Sequence, residues 1–335
     1  MATLDPPHLE SAAHPAISAV VCTYNRADLL AGALQSLGEQ TLPSSDYEVI
    51  VVDNNSSDHT LAVAEGFCRR HSNIRYCLEP QQGLSHARNR GWQEARGEYV
   101  AYIDDDCKVP EQWLEVAREV IERVSPGVFG GPYYAYCNTS KPRWLKDTYF
   151  SRNFGDHPRF LSQSEYLSGN NIFFRRSLLR ALGGFDPKLG MSGQKIAYGE
   201  ETALIQRIRA SMPDQLIYYE PKLYLYHLAR TDKMTMRWIM LQPFHAGRYS
   251  YKILRGDLPK GTNTFLLLGK TVVRFLLLGA DLVYGAFFRN RARYPYFQNY
   301  LFEHTSRYLR ALGSYYAQAR LLHHHKRRNG DSDRV

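Results

Sequence analysis

Three near-continuous apolar runs constrain this chain more than anything else in its 335 residues. They are Ile17-Ser18-Ala19-Val20-Val21-Cys22, Tyr47-Glu48-Val49-Ile50-Val51-Val52 and Tyr99-Val100-Ala101-Tyr102-Ile103. The first two are followed by helical patterns over residues 27–40 and 60–71. Buried runs alternating with helices predict a parallel sheet covered on both faces. Ligands of such sheets bind outside the carboxyl ends of the strands. All three runs end in polar residues: Thr23-Tyr24-Asn25-Arg26, Asp53-Asn54-Asn55-Ser56-Ser57-Asp58 and Asp104-Asp105-Asp106. The three tips therefore point into one crevice.

Carboxylates crowded at such a mouth repel one another unless a cation lies between them. Oxygen ligands suit Mg²⁺ or Mn²⁺, ions that also hold substrate phosphates. Taken alone, the triplet also reads as an exposed acidic turn after a strand. The order of the tips says more than any one of them.

Further along come Gly83-Leu84-Ser85-His86-Ala87-Arg88-Asn89-Arg90-Gly91, Ala95-Arg96-Gly97-Glu98-Tyr99, Gly183-Gly184-Phe185-Asp186 and Gly199-Glu200-Glu201-Thr202-Ala203-Leu204. With the three tips, and over about residues 16–230, this order resembles the family 2 glycosyltransferases. The resemblance implies an α/β GT-A fold, with a Rossmann-like, mainly parallel central sheet flanked by helices. It implies inverting transfer of a sugar from a nucleoside diphosphate, of UDP type, to an acceptor hydroxyl. The acceptor is expected to be a glycan or lipid-linked, the setting surface or secreted polysaccharide or glycoconjugate synthesis, and the cofactor Mn²⁺ or Mg²⁺.

By position, the resemblance gives Thr23, Tyr24, Arg26 and Asp53 to the nucleobase and ribose, with Asn55 close by, and sets Arg88 and Asn89 beside the nucleotide. Asp104 and Asp106 match the metal motif, Asp106 on the ion and Asp104 towards the ribose or a metal-bound water. Asp105 stays open, because a slip of one residue fits equally well. His227 would complete the metal shell. The family's acid pair, usually Glu-Asp with Asp as general base, is Glu200-Glu201 here, which leaves open which carboxylate is the base. Asn170 and Asn171 match a segment near the acceptor, where Ser168 to Asn171 reads as a helix end. Trp144 suits stacking on a sugar. Plainer readings stand beside these: Asp53 as a cap or turn residue, Arg88 and Asn89 as solvated helix residues, His227 as structural, Trp144 as core.

Residues 1–15 have prolines and acids but no apolar core, so they read as a disordered leader and not a signal peptide. A catalytic domain is expected over 16–234, divided into a nucleotide half (16–137) and an acceptor half (138–234). The first half reads as four strands with further helices at 84–95 and 111–124, and a strand at 128–136 broken by Gly130-Gly131-Pro132. The second reads as an irregular aromatic stretch (138–168), a strand at 171–175, a helix at 200–210, and strands at 216–220 and 223–228 ending the sheet. Residues 235–335 form a helical, basic appendage. Five scattered cysteines fit a reducing compartment.

The net charge of +9 is concentrated near the C-terminus, where residues 289–335 carry ten Lys/Arg against three acids. Just before them, the apolar stretch 265–288 is interrupted by Lys270, Arg274 and Asp281. At 100° per residue these charges lie within about 40° of one another, so an amphipathic helix is expected, with no uninterrupted membrane span. Either its apolar face rests peripherally on the inner face of the plasma membrane, in a cytoplasmic enzyme, or the helix packs on protein with its charged stripe towards solvent.

A nucleotidyltransferase-like enzyme would show a Gly-rich loop after the first strand, and a dinucleotide oxidoreductase a G-x-G-x-x-G; neither is present. The basic tail has a nucleic-acid-like composition, but the catalytic half shares none of it, so no nucleic-acid partner is expected. A non-catalytic sugar-binding relative would be expected to lose the acid pair or the metal aspartates, and both are kept.

Overall fold

The structure, a computed structural model, describes residues 15–192, 198–254, 258 and 262–332. Except for Pro15, the expected leader lies outside the described residues, as do Arg334 and the side chains of Lys326, Arg327 and Arg328. The first half alternates as the pattern predicts: β1 (Ile17–Thr23), α1 (Ala27–Gly38), β2 (Tyr47–Asp53), α2 (Thr60–Arg70), β3 (Ile74–Leu78), α3 (Leu84–Glu94), β4 (Tyr99–Asp104), β5 (Cys107–Lys108) and α4 (Trp113–Val124). It is completed by β6 (Val128–Gly130) and β7 (Tyr133–Tyr136). The second half holds β8 (Arg159–Phe160), β9 (Ile172–Arg175), α5 (Arg176–Leu182), α6 (Glu200–Ser211), β10 (Ile217–Tyr219) and β11 (Leu225–Leu228). Four helices follow: α7 (Met236–Leu254), α8 (Thr264–Phe288), the single turn α9 (Phe297–Tyr300) and α10 (Ser306–Ser332).

The main sheet has eight strands in the order β3-β2-β1-β4-β9-β6-β10-β8. β1 pairs in parallel with both β2 and β4, setting Thr23 opposite Asp53 and Cys22 opposite Asp104. That register brings the three polar tips to one edge. Alternate side chains of β1 enter different layers: Ile17, Ala19 and Val21 pack with Leu30 and Leu34 of α1, while Val20 packs with Ala87 of α3 and Leu204 of α6. Beyond β4, the strand β9 runs antiparallel to both of its neighbours.

Two boundaries differ from the sequence reading. The last two expected strands do not end one sheet together: β10 joins the main sheet, whereas β11 forms a second sheet in the order β5-β11-β7. Gly131 explains the split, since a Cβ there would lie 2.0 Å from the Leu223 carbonyl oxygen and the chain can turn out of the main sheet only without one. No helix leads into Asn170; the stretch 161–170 is irregular, with turns at 163–164 and 169–170. All five cysteines are free.

The C-terminal helices dock on the acceptor half. Asn299 Nδ2 donates to the Trp144 carbonyl at 2.6 Å, Lys146 pairs with Glu303 at 2.6 Å, and Tyr149 stacks on Phe302. The expected solvent-facing charged stripe of α8 holds at Lys270 but not at Arg274 and Asp281. Asp281 is buried, accepting from Tyr300 Oη at 2.8 Å and Thr305 Oγ1 at 2.7 Å, and Arg274 lies over the Tyr308 ring. The reason is local: α9, α10 and the turn between them supply polar partners that an isolated helical wheel does not contain. No helix among the described residues is long and apolar enough to cross a membrane.

The seat of α3 on β1 depends on Gly91, where a Cβ would lie 2.4 Å from Val20 Cγ1. Val20 is β-branched and in the central strand, so it cannot swing aside. Gly91→Ala is expected to destabilise the protein by about 1–3 kcal/mol, read as a lower urea midpoint at unchanged m-value.

Candidate active site

The loops after β1 and β2 are stitched together. Asn25 and Asn55 both adopt left-handed backbone (φ 52° and 66°), which Asn tolerates better than most residues. Asn25 N–H donates to Ser56 Oγ at 2.8 Å, and Asn25 Oδ1 accepts from Ser57 N–H at 2.7 Å. Asp53 is buried, its two oxygens taking Tyr76 Oη at 3.0 Å and Ser56 N–H at 2.9 Å. Asn55 is exposed and serves as the turn. Its neighbour Asn54, which the sequence reading passed over, lines the cleft and ties down the approach to α3. It donates to the Gln81 carbonyl and accepts from Gly83 N–H, both at 2.7 Å. The signal was available in its position, one residue past the strand end.

The acidic triplet is not the exposed cluster that an acidic turn would be, since Asp105 and Asp106 are both buried. The three aspartates have separate environments. Asp105 accepts from Thr23 Oγ1 at 2.8 Å and from Arg26 at 2.9 Å; burial pushes its carboxyl up to about 6, Arg26 offsetting part of the rise. Asp104 stands at the cleft with Arg88 3.7 Å away, and burial raises its carboxyl as well. Asp106 behaves in the opposite way. Burial works against its charge, yet His227, Lys233 and Arg26 hold it down to about 2.

His227 of β11 brings Nε2 to 3.2 Å from Asp106 Oδ1, but out of line for a hydrogen bond, so this buried oxygen has no donor. Ligand atoms of Asp106, Cys107 and His227 lie within 4.8 Å of one another. A carboxylate and an imidazole with an unclaimed oxygen fit a Mn²⁺- or Mg²⁺-type ion. Cys107 fits less well: burial drives its thiol far above the usual range, leaving it a neutral, soft group.

On the facing side, Gly199 takes a left-handed turn (φ 95°) and starts α6 with the two glutamates. Arg88, buried on α3, holds Glu200 at 2.7 Å and the Gly169 carbonyl at 3.2 Å, with Glu201 at 3.9 Å. Glu201 remains about one-fifth exposed. Burial first, and then the Glu200 charge, push the Glu201 carboxyl up to about 8. Glu200 is thus committed to Arg88, and Glu201 is the freer group.

Other expected residues fall outside this cluster. Asn89 clamps the Gly184–Phe185 turn, donating to the Phe185 carbonyl and accepting from Phe185 N–H, both at 2.8 Å. Asn171 is buried, donating to the Pro132 and Leu223 carbonyls, so it joins the two sheets and offers nothing to an acceptor. Asn170 is also buried, but its Oδ1 is unpaired. Trp144 packs beside Leu145, Ala229 and Met234 at the joint with the C-terminal helices, not as a free sugar platform. Thr23, Tyr24, Arg26, Asn54, Asp104 and Asp105 line a cleft of about 180 Å³, with Leu84, Ala87 and Met191 as its apolar wall.

The family model described as Glycosyl transferase family 2 matches residues 18–183. The chain is 30% identical over 181 residues to the Haloferax volcanii glycosyltransferase AglE, covering 53% of this chain and 59% of AglE. It is 27% identical to the Haloferax volcanii glucosyl-dolichyl phosphate glucuronosyltransferase, covering 71% of this chain and 77% of that protein. The solved structure of the mannosyltransferase PcManGT from Pyrobaculum calidifontis, in complex with GDP-Man and Mn²⁺, shares the fold at TM-score 0.60 and 20% identity, covering 90% of this chain and 87% of that one. The motif order, the GT-A sheet and these matches together place the chain in glycosyl transferase family 2.

Proposed function

We propose that the protein transfers a sugar, with inversion, from a nucleoside diphosphate to an acceptor hydroxyl. The observation that supports this most is the facing of Asp104, Asp106 and His227 by the Arg88-bound pair Glu200 and Glu201 across the strand ends. Glu201 takes the acceptor proton as the acceptor oxygen bonds to the anomeric carbon. The bond from that carbon to the diphosphate breaks at the same time, and the diphosphate leaves with the electron pair. Glu200 fixes Arg88 and thereby the position of Glu201 and Asp104. Thr23 and Arg26 hold Asp105, which shapes the nucleotide cleft with Tyr24 and Asn54. Asp106 and His227 would hold a divalent cation, with Asp104 on the nucleoside side. Such an ion stabilises the charge that develops on the leaving diphosphate.

A UDP-sugar is the donor that the family resemblance favours. The GDP-mannose bound by the structurally similar mannosyltransferase is the competing donor for the same screen. The acceptor is read as a glycan or a lipid-linked saccharide, as the glucosyl-dolichyl phosphate relative suggests by its name.

With a panel of sugar nucleotides, hydrolysis or transfer is expected with Mn²⁺ and to be lost in EDTA and in Asp106→Ala; full turnover in EDTA rejects the metal. Glu201→Gln is expected to reduce kcat by at least about a hundredfold, the usual scale of acid–base catalysis, with an unaltered donor Kd. Glu200→Gln leaves the buried Arg88 underpaired and should cost about 3 kcal/mol of stability, seen in denaturation. Because Glu201 acts as a carboxylate, kcat/KM should rise with pH as its proton leaves and level off above about 8. A profile already flat at pH 6 moves the base elsewhere.

A further inference from the structure

α8 is inside out. Its buried positions Leu267, Leu278, Asp281 and Gly285 follow a single seam, and at 100° per residue the remaining exposed side chains sweep about 220° of its circumference. That exposed arc is apolar almost throughout: Phe265 is 86% exposed, Leu276 69%, Phe287 73% and Phe288 68%, with Leu268, Val272, Val273, Phe275 and Val283 between them. The only acid of the helix, Asp281, is in the seam, held by Tyr300 and Thr305. Positive charge borders the arc. Lys270 is exposed at its edge, and Arg291 and Arg293 are exposed just past the helix end.

Beside the N-terminal turns of α8 lies a groove of about 430 Å³. Phe265, Leu266 and Val273 give it apolar walls, and Lys270 and Arg274 give it two cations. A protein partner covers one side of a convex helix, whereas a fluid apolar medium covers the whole arc. The cations next to an acyl-sized groove match a phosphate headgroup above its chain.

We propose that α8 is an in-plane lipid anchor, seated with its apolar arc in the headgroup–acyl boundary of an anionic bilayer and with Lys270, Arg291 and Arg293 at the phosphates. The helix lies along the surface and does not span it. The catalytic cleft is carried by the same chain, so the anchor would hold it near lipid-linked acceptors. This last point rests on the proposed transferase reading, and the anchor itself does not.

The test is flotation of the full chain with phosphatidylcholine vesicles containing or lacking phosphatidylglycerol. The chain is expected to float with the anionic vesicles, and Leu276→Asp/Phe287→Asp to lose at least tenfold in partitioning with an unchanged thermal melt. Should the double variant melt early, Leu276→Trp replaces it: its added indole is expected to be quenched by brominated acyl chains. A wild-type chain that stays at the bottom with anionic vesicles, a folded double variant that floats undiminished, or an unquenched indole at residue 276 overturns the anchor. A dimer in sedimentation that ignores vesicles does so too, and assigns the arc to a second copy. None of these measurements requires turnover, so failure here leaves the sugar-transfer reading standing.

Discussion

The site depends on one buried guanidinium. Arg88 stands between Glu200 and Asp104 with Glu201 in reach, and Arg26 does the same for Asp105 and Asp106. Five carboxylates thus share two fixed cations, and the uneven sharing gives each its character. Asp106 is held ionised beside His227, while burial lifts Asp104, Asp105 and Glu201. The residual negative charge is what a divalent ion with a diphosphate ligand would meet. Because the guanidinium is rigid and always charged, its fork fixes the distance between the end of β4 and the N-terminus of α6 in a way that Lys could not.

The backbone makes that arrangement possible before any side chain is considered. Parallel pairing puts all three strand ends on one edge, and the register of β1 with β2 and β4 aligns Thr23, Asp53 and Asp104 within one residue. Antiparallel β9 then returns the chain so that α6 can present its N-terminus to the same edge. The second sheet brings His227 to Asp106, since β11 pairs with β5 immediately after the triplet. The Asp106–His227 pair is therefore a joint between sheets.

What was legible in the sequence follows from locality. Strand ends, their polar tips and the helices between them are set by short-range pattern, so Thr23, Arg26, Asp104, Asp106 and Glu201 could be assigned positions directly. Asn89 and Asn171 could not be read this way. Each amide is taken up by backbone groups far away in sequence, Phe185 in one case and Pro132 and Leu223 in the other. Trp144 stayed open between a sugar platform and core packing for the same reason, because its neighbours Ala229 and Met234 lie some ninety positions on. Buried hydrogen-bond partners of this range leave no periodic trace.

The inward turn of Asp281 in α8 escaped the sequence for a different cause. A helical wheel assigns polar residues to water by default, on the premise that the core is apolar and the outside wet. Asp281 breaks the premise: a carboxylate is buried at low cost only when donors meet it, and Tyr300 and Thr305 do so from the chain that folds back over the helix. With its one acid satisfied inward by hydrogen bonds, and Arg274 drawn over Tyr308, the helix has little left to offer water on its other sides. A seam that takes in the one acid and only a few apolar residues leaves the rest of the apolar surface as the exposed arc. α8 is attached by a narrow seam in which Leu278 packs with Leu309 and Leu312 beside the Asp281 hydrogen bonds, and that seam leaves most of its hydrophobic surface free.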